Sequence, residues 1–353
     1  MGRQEQTNHL FSNRDLRILL VPLIVEQILN SLMGKVDSIM VSNVGSAELS
    51  AVSLVDSINI LVIQAFYALA AGGTIVCSQY IGQKDKKNAE ESARQLSFVV
   101  ACISSAVMAV CLLTRVPLLR LIFGSVEADV MESAQTYCFY TALSFPFIAL
   151  YDTGSSMYRA QGNTRLPMTI AVVSNGLNIA GNAVLIWGFH LGVAGAAIAT
   201  CLGYCVPSIV GLVYFTKNRT GSLYFVPFKF DGQTLLAACG NGSSEMVSNI
   251  ANAITTFVFN TLFMRYRGED GVAAITIAMY FQFVFTAVYF GFSMGVAPVI
   301  SYKFGEKNIP QLRHIFRICI TFVLACSLGT YLLSWLTLEP ALTLFTPRGS
   351  SVY

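Results

Sequence analysis

Asp37 stands where a carboxylate is expensive. It lies in the stretch Leu16 to Val44, LRILLVPLIVEQILNSLMGKVDSIMVSNV, which meets the ~20 residues a bilayer-crossing helix needs yet carries Glu26, Lys35 and Asp37. An ionisable side chain at that depth costs on the order of 2.5–3.5 kcal/mol, so something must offset it. At ~100° per residue, Glu26, Asn30, Met33 and Asp37 fall on one narrow stripe, with Lys35 on nearly the opposite side. Such a stripe faces protein or a water-filled cavity. Two roles are open to Asp37: taking up a small cation or proton, or pairing with a neighbouring helix to hold a bundle together.

Other polar residues in apolar surroundings extend this chemistry. Asn175, Asn178 and Asn182 recur at i, i+3 and i+7, one face of a helix, and Asn is a costly choice against lipid. Thr200 lies in GVAGAAIATCLG, where Gly192, Gly195, Ala196 and Ala199 permit close helix approach. Thr200 and the Asn face can supply neutral oxygens around a carboxylate, a donor set that suits a hard monovalent cation; the competing role is packing. Asp56, Asn59 and Asp152 line a cavity or form structural pairs. Glu245, Asn249, Asn252, Thr256 and Asn260 make a second polar stripe. Pro22, Pro146 and Pro298, with Gly72, Gly73, Gly291 and Gly295, mark bends, static or moving.

The elements that position these groups are membrane helices. Charged residues make up 12% of the chain and hydrophobic ones 54%, too little polar surface to cover a water-soluble globule of this length. Apolar segments follow the first at about 54–77, 96–113, 137–158, 168–189, 191–215, 235–263, 272–300 and 318–335, making nine. They are long runs and not the ~10-residue alternation of a transmembrane barrel. The polar tail Met1 to Asp15 has no cleavable signal pattern, so the first helix is expected to target the protein. The nine cysteines lack metal-ligand spacing, and the three histidines are scattered. No nucleophile and base or metal cluster points to an enzyme.

Sixteen Lys and Arg, among them Arg14, Lys84, Lys87, Arg159, Lys303 and Arg313, fall on one side of the nine-span arrangement, against Arg115, Arg120, Arg265, Arg267 and Arg348 on the other. That bias places the amino terminus and the basic loops in the cytoplasm.

An internal repeat is also present. Gly45 to Lys84 aligns without a gap on Gly268 to Lys307 at an offset of 223 residues, with identities at Gly45/Gly268, Ala51/Ala274, Gly72/Gly295, Ser78/Ser301, Gly82/Gly305 and Lys84/Lys307. Each copy is a long helix followed by a turn, GQKD or GEKN. The offset spans an even number of helices, so the repeats run parallel about an axis along the membrane normal. Asp37 then has Asn260 as its counterpart, polar but uncharged. Two full repeats would outrun Tyr353, so the expected organisation is an amino-terminal six-helix lobe (1–215), a cytoplasmic linker (216–233) and an incomplete second lobe (234–353) of three helices.

The runs VDSIMVSNVG, SQYIGQKD, RAQGNTRLPM, NIAGNAVLIWGFHLGVAGAAIAT and GEDGVAAITI resemble the multidrug and toxic compound extrusion (MATE) family over nearly the whole chain and in the family's order. The resemblance implies an all-α membrane protein, a two-lobe bundle of parallel six-helix repeats with nine of twelve transmembrane helices present. It also implies antiport: organic, often cationic, compounds leave the cell in exchange for Na⁺ or H⁺. By the same resemblance Asp37 is the coupling-ion carboxylate, Asn178 and Asn182 are the paired polar positions of the fifth helix and Thr200 is the threonine of the sixth. Candidate cavity-lining residues are Glu26, Asn30, Asp56, Asn59, Asp152, Asn175, Asn252 and Asn260. Where one branch of the family has a second fifth-helix carboxylate, this chain has Asn182. No cofactor is implied beyond the ion, no metal beyond Na⁺ at Asp37, and no nucleic acid; the partners are small organic substrates and the bilayer, around a monomer in the plasma membrane. A lipid-linked precursor flippase and a non-functional transporter fragment are the alternatives.

Overall fold

The computed structural model describes residues 13–124, 127–217 and 231–345, and among them the regular structure is helical throughout. The elements are α1 (Asn13–Ser42), α2 (Ser46–Gly82), α3 (Lys86–Phe123), α4 (Ala128–Ala160), α5 (Arg165–Asn182) with a π-helical turn (Ala183–Gly188), α6 (Gly192–Lys217), α7 (Gly232–Gly305) and α8 (Ile309–Phe345). Most of the expected linker and the side chain of Asn260 lie outside the described residues.

Among the described residues, seven segments are long and apolar enough to cross a membrane: Ile18–Ser42, Ala47–Gly82, Lys86–Phe123, Arg165–Gly188, Gly192–Val213, Phe285–Gly305 and Ile309–Leu336. The fourth expected span, α4, forms a 33-residue helix but is not one of the seven. It occupies the middle of the bundle, with more than half of its residues buried, including Thr141, Ser144, Thr153, Ser155, Ser156 and Arg159. A helix sheathed by other helices needs no lipid-compatible surface, so its hydropathy drops.

α7 is 74 residues long, a rod of roughly 110 Å if straight. It is not straight. Gly242 and Ala238 press on Gly72 of α2, while Tyr302 presses on Gly82, only ten residues further along α2. A straight helix would put residues 242 and 302 about 90 Å apart, against the roughly 15 Å between residues 72 and 82. The element therefore doubles back; its two arms hold the expected seventh and eighth segments, but among the described residues only the second, Phe285–Gly305, is long and apolar enough to cross a membrane, so the seventh, like the fourth, is not one of the seven.

The repeat read from the sequence recurs in the backbone. Lys84 and Lys307 are both left-handed (φ 61 and 56), and both follow the same hydrogen bonding. Lys84 N donates to Ile81 O and Asp85 N to Tyr80 O; Lys307 N donates to Phe304 O and Asn308 N to Lys303 O. This is the helix-ending motif in which two orphan carbonyls are satisfied by the residues that leave the helix. The next helix starts alike in each copy, with Asp85 accepting from Asn88 N and Asn308 Oδ1 from Gln311 N. Contacts obey the same offset. A Cβ at Gly82 would meet Tyr302 O at 2.1 Å, and one at Gly305 would meet Gln79 O at 2.2 Å. These two crossings exchange under the 223-residue offset, which puts a pseudo-two-fold axis between α2 and the second arm of α7.

Three apolar clusters hold the bundle. One joins α2, α3 and α4 through Phe66, Cys77, Leu96, Phe145 and Met157, with Ala238 of α7. A second joins α1, α2, α4 and α6 around Val41, Val52, Val55, Tyr137 and Ala196. The third ties Leu20 of α1 to Phe292 and Val296 of α7 and Ile315 of α8. The polar groups lie between the first two clusters, along α1.

Candidate functional site

Small residues bring α5 and α6 together and so build the site. Ala196, Ala197 and Ala199 are fully buried. A Cβ on Gly181 would meet Ala199 Cβ at 3.0 Å, and one on Gly203 would meet Ser174 O at 3.2 Å and Asn178 Cβ at 3.3 Å. This is the close approach expected of GVAGAAIATCLG. It leaves Asn178, Asn182 and Thr200 nowhere to point except at each other and at α1.

There they meet Asp37, whose side chain is buried with the residue 4% exposed. Asn182 Nδ2 donates to Asp37 Oδ1 at 2.5 Å, and Thr200 Oγ1 donates to Asp37 Oδ2 at 3.2 Å. Asn178 Nδ2 donates to Thr200 Oγ1 at 3.2 Å, and Asn182 Nδ2 also reaches Asn178 Oδ1 at 3.4 Å. Three helices thus contribute one carboxylate and three neutral polar side chains to a single network. The Asn face read from the sequence is buried at all three positions, but Asn175 stands apart from the network and donates to Ala171 O at 2.9 Å.

Asn182 is the last α-helical residue before the π-helical turn. One extra residue per turn rotates the chain beyond it, and such turns gather at functional sites. Here the turn also seats α6: a Cβ on Gly195 would meet Leu185 C at 3.0 Å and Ile186 N at 3.2 Å.

The donor set fits a small hard cation. The Asp37 carboxylate and the Thr200 hydroxyl oxygen meet directly, Asn182 presents its Nδ2 to Asp37, and Asn182 Oδ1 is buried without a hydrogen-bond partner. Rotating that amide half a turn would exchange its donor for this acceptor at the same place. No group of three or more His, Cys, Asp or Glu that could hold a metal ion occurs among the described residues; the groups at this site are one carboxylate, two amides and a hydroxyl.

The remaining candidates fall into three places. Asn30 Oδ1 accepts from Tyr151 OH at 3.5 Å. Glu26, one turn further along the stripe, is ion-paired with Arg159 at 2.9 Å, both side chains being buried (2% and 5% exposed). Asp152 lies on the Arg159 face of α4, two turns earlier. Asp56 Oδ1 accepts from Tyr137 OH at 3.2 Å and from Asn59 Nδ2 at 3.3 Å, close enough to Asp37 for the two charges to repel. Asn252 is exposed on the first arm of α7, away from these contacts, while its neighbour on the same stripe, Asn249, donates to Gln64 Oε1 at 2.8 Å. Arg159, Tyr137 and Tyr151 are the functional side chains that the sequence did not single out. Arg159 sits in a loop-like RAQGN run, and only its i+7 spacing from Asp152 could have drawn it into the membrane.

Comparison with known proteins bears on the family and the fold. The MatE family profile matches residues 22–184 and 246–353. The uncharacterized transporter YisQ of Bacillus subtilis is 33% identical over 201 residues, 56% of this chain and 44% of that protein. The multidrug export protein MepA of Staphylococcus haemolyticus is 25% identical over 319 residues, 86% of this chain and 69% of that protein. A crystal structure of MATE in the bent conformation superposes with a TM-score of 0.90 at 22% identity, covering 96% of this chain and 76% of the other, a likeness of fold. Its helices, its parallel repeat and its profile match over most of its length make the chain a member of the MatE (multidrug and toxic compound extrusion) family of membrane transporters.

Proposed function

We propose that this protein exports organic, often cationic, compounds by antiport against Na⁺ or H⁺, and that Asp37 with Asn178, Asn182 and Thr200 is where the coupling ion binds. One observation carries the reading: the two oxygens of the buried Asp37 carboxylate are met by Asn182 and Thr200, both neutral donors, from two other helices. Neutral donors leave the charge of a buried carboxylate uncompensated, so a proton or a small cation is the partner it lacks. The relative's name, multidrug export protein, supports the substrate class. The basic side of the sequence supports a cytoplasmic amino terminus, in the plasma membrane of a monomeric transporter with residues 1–215 as its first lobe.

Uptake of the ion removes the cost of a bare buried charge and lets α1, α5 and α6 settle against one another. Return to the ion-free state reverses this. The ion drives transport only through its different affinity for the two states, and the network changes with it. Asn182 donates to Asp37; a metal cation at this place would be held by the Asp37 carboxylate with the Thr200 hydroxyl and the amide oxygens of Asn178 and Asn182. Substrate release and ion uptake are then alternative ways of satisfying one lobe.

The test is Asp37→Asn in membrane vesicles, with efflux of a fluorescent organic cation followed under imposed Na⁺ and H⁺ gradients. Asn preserves shape and hydrogen bonding while removing the charge, so the variant is expected to remain in the membrane and to lose gradient-driven efflux. Efflux that still follows an ion gradient in this variant overturns the assignment.

A further inference from the structure

Eleven residues before Asp37 on α1, about 16 Å along the axis, a second ionised cluster is buried. Glu26 Oε1 accepts from Arg159 Nη1 at 2.9 Å, and Arg159 Nη2 donates to Ser156 Oγ at 3.0 Å. Asp152, Ser156 and Arg159 recur at i, i+4 and i+7, so Asp152 shares the face of α4 that meets Glu26. Two carboxylate oxygens there, Glu26 Oε2 and Asp152 Oδ2, are buried and have no hydrogen-bond partner.

With all three groups ionised, two carboxylates face one guanidinium, and one negative charge inside the bundle is uncompensated. Burying an unpaired anionic oxygen is far costlier than burying a neutral one. The other groups that face the cluster, Tyr67 on α2, Tyr151 on α4 and Tyr204 on α6, supply no positive charge, and Glu245 on α7 lies beyond Tyr67, outside the cluster, and supplies none either. The guanidinium's described contacts are with Glu26 and Ser156, and Asp152 Oδ2 stays open. The smallest cation that closes the balance is a proton, which converts an orphan acceptor into a neutral hydroxyl.

We propose that Glu26, Asp152 and Arg159 form a second proton-binding site, in which the two carboxyls together hold one exchangeable proton independently of the ion at Asp37. The proton adds to one carboxylate oxygen of the pair, and the other carboxylate remains the partner of Arg159; interacting carboxyls titrate as a unit, so the proton belongs to the pair. Asn30, joined to Tyr151, lies between this site and Asp37 on the same stripe of α1.

This arrangement makes an unusual forecast. Removing either carboxyl leaves one carboxylate for one guanidinium, so the proton is no longer required whichever is removed. Infrared difference spectra between mildly alkaline and mildly acidic sodium-free buffer, recorded on the full chain in lipid vesicles, read the carboxylic C=O stretch directly. The wild type is expected to show a buried-acid band. Asp152→Asn and Glu26→Gln are each expected to lose one carboxyl's worth of its amplitude, and Arg159→Gln to gain one. Asp37→Asn is expected to leave this component intact, so a failure of the Asp37 assignment and a failure here remain distinct. If Asp152→Asn and Glu26→Gln both keep the wild-type band, or if the band vanishes in Asp37→Asn alone, the site does not exist. Asp152→Asn forms none of the described side-chain bonds to Arg159 and serves as the decisive variant should Glu26→Gln fail to fold.

Discussion

A methyl group at Gly82 or Gly305 should separate α2 from the second arm of α7. At each position the added Cβ would sit 2.1 or 2.2 Å from a backbone carbonyl oxygen, of Tyr302 or Gln79, whereas ordinary contact starts at 3.4 Å. The obstacle is backbone, so no rotamer change relieves it, and the helices must part by about 1 Å. Overpacking of this kind costs typically ~1–3 kcal/mol, against which replacing Gly by Ala in a helix returns at most ~1 kcal/mol. The balance is a loss of roughly 1–2 kcal/mol. The two contacts belong to one crossing, so the displacement that accommodates one methyl accommodates the other. Gly82→Ala with Gly305→Ala should therefore cost no more than either alone, since the displacement is shared while the helix gain is collected twice, a clear departure from additivity. Thermal unfolding of the purified chain in detergent measures this, with Gly211→Ala as reference, since a Cβ at Gly211 meets nothing within 4 Å and should raise the midpoint. If Gly82→Ala raises the midpoint as Gly211→Ala does, or if the two crossing variants add, the close pseudo-symmetric contact is refuted.

Thr200→Val removes the donor to Asp37 Oδ2. It also deletes the hydroxyl oxygen that would be a ligand to Na⁺, a charge–dipole contact worth ~1.5–3 kcal/mol, so Na⁺ affinity measured by isothermal titration should fall roughly ten- to a hundredfold, with Thr200→Ser near wild type. Arg159→Ala leaves the buried Glu26 carboxyl without its partner and should cost ~3–5 kcal/mol in chemical unfolding at mildly alkaline pH, less on acidification as the freed carboxyl takes up a proton; adding Glu26→Gln in the same chain should recover much of that loss. Asp231 caps α7, accepting from Gln233 N, Thr234 N and Thr234 Oγ1. The Thr234 hydroxyl, with the Gln233 amide, holds its carboxyl below the usual carboxylate value. A lowered value means that the cap's contribution is complete above the ordinary carboxylate range and is lost as pH falls through the lowered one. The protection of the Gln233 and Thr234 amides, taken relative to their intrinsic exchange rates, should fall on acidification, and Asp231→Ala should show that lower protection already at neutral pH.

The stripe of α1 was legible because helical geometry is simple arithmetic: Glu26, Asn30 and Asp37 share a face, and the structure joins each to a polar partner on another helix. The Asn face of α5 and the small residues of α6 were legible for the same reason, and their meeting at Asp37 follows from how closely glycine and alanine let helices approach. Arg159 was not legible as a buried group. Near a helix end an arginine counts as a loop charge by every local rule, and only the tertiary fact that α4 is sheathed by other helices reverses that. Sheathing also explains why α4 is missing from the apolar spans, since hydropathy reports contact with lipid and α4 has little. The π-helical turn after Asn182 could not be read at all, because one extra residue in a turn leaves no trace in a run as uniformly apolar as AVLIWG.

The repeat offers a different kind of legibility. Six identities in forty positions are weak as a pattern, yet each of the last three has a physical reason in the structure. Ser78 and Ser301 are both buried, and Gly82 and Gly305 each lie against the other copy's backbone. Lys84 and Lys307 hold a left-handed conformation that costs a side-chain-bearing residue roughly 1–2 kcal/mol, and glycine would hold it at no such cost. Two copies that have diverged almost everywhere else keep a lysine there. The helix-ending hydrogen bonds fix the backbone, but they do not ask for a lysine, and nothing in the hydrogen bonding explains why both copies carry one. What the two turns share is where they end their helices: α2 at Gly82 and α7 at Gly305 stop on the same pair of bonds.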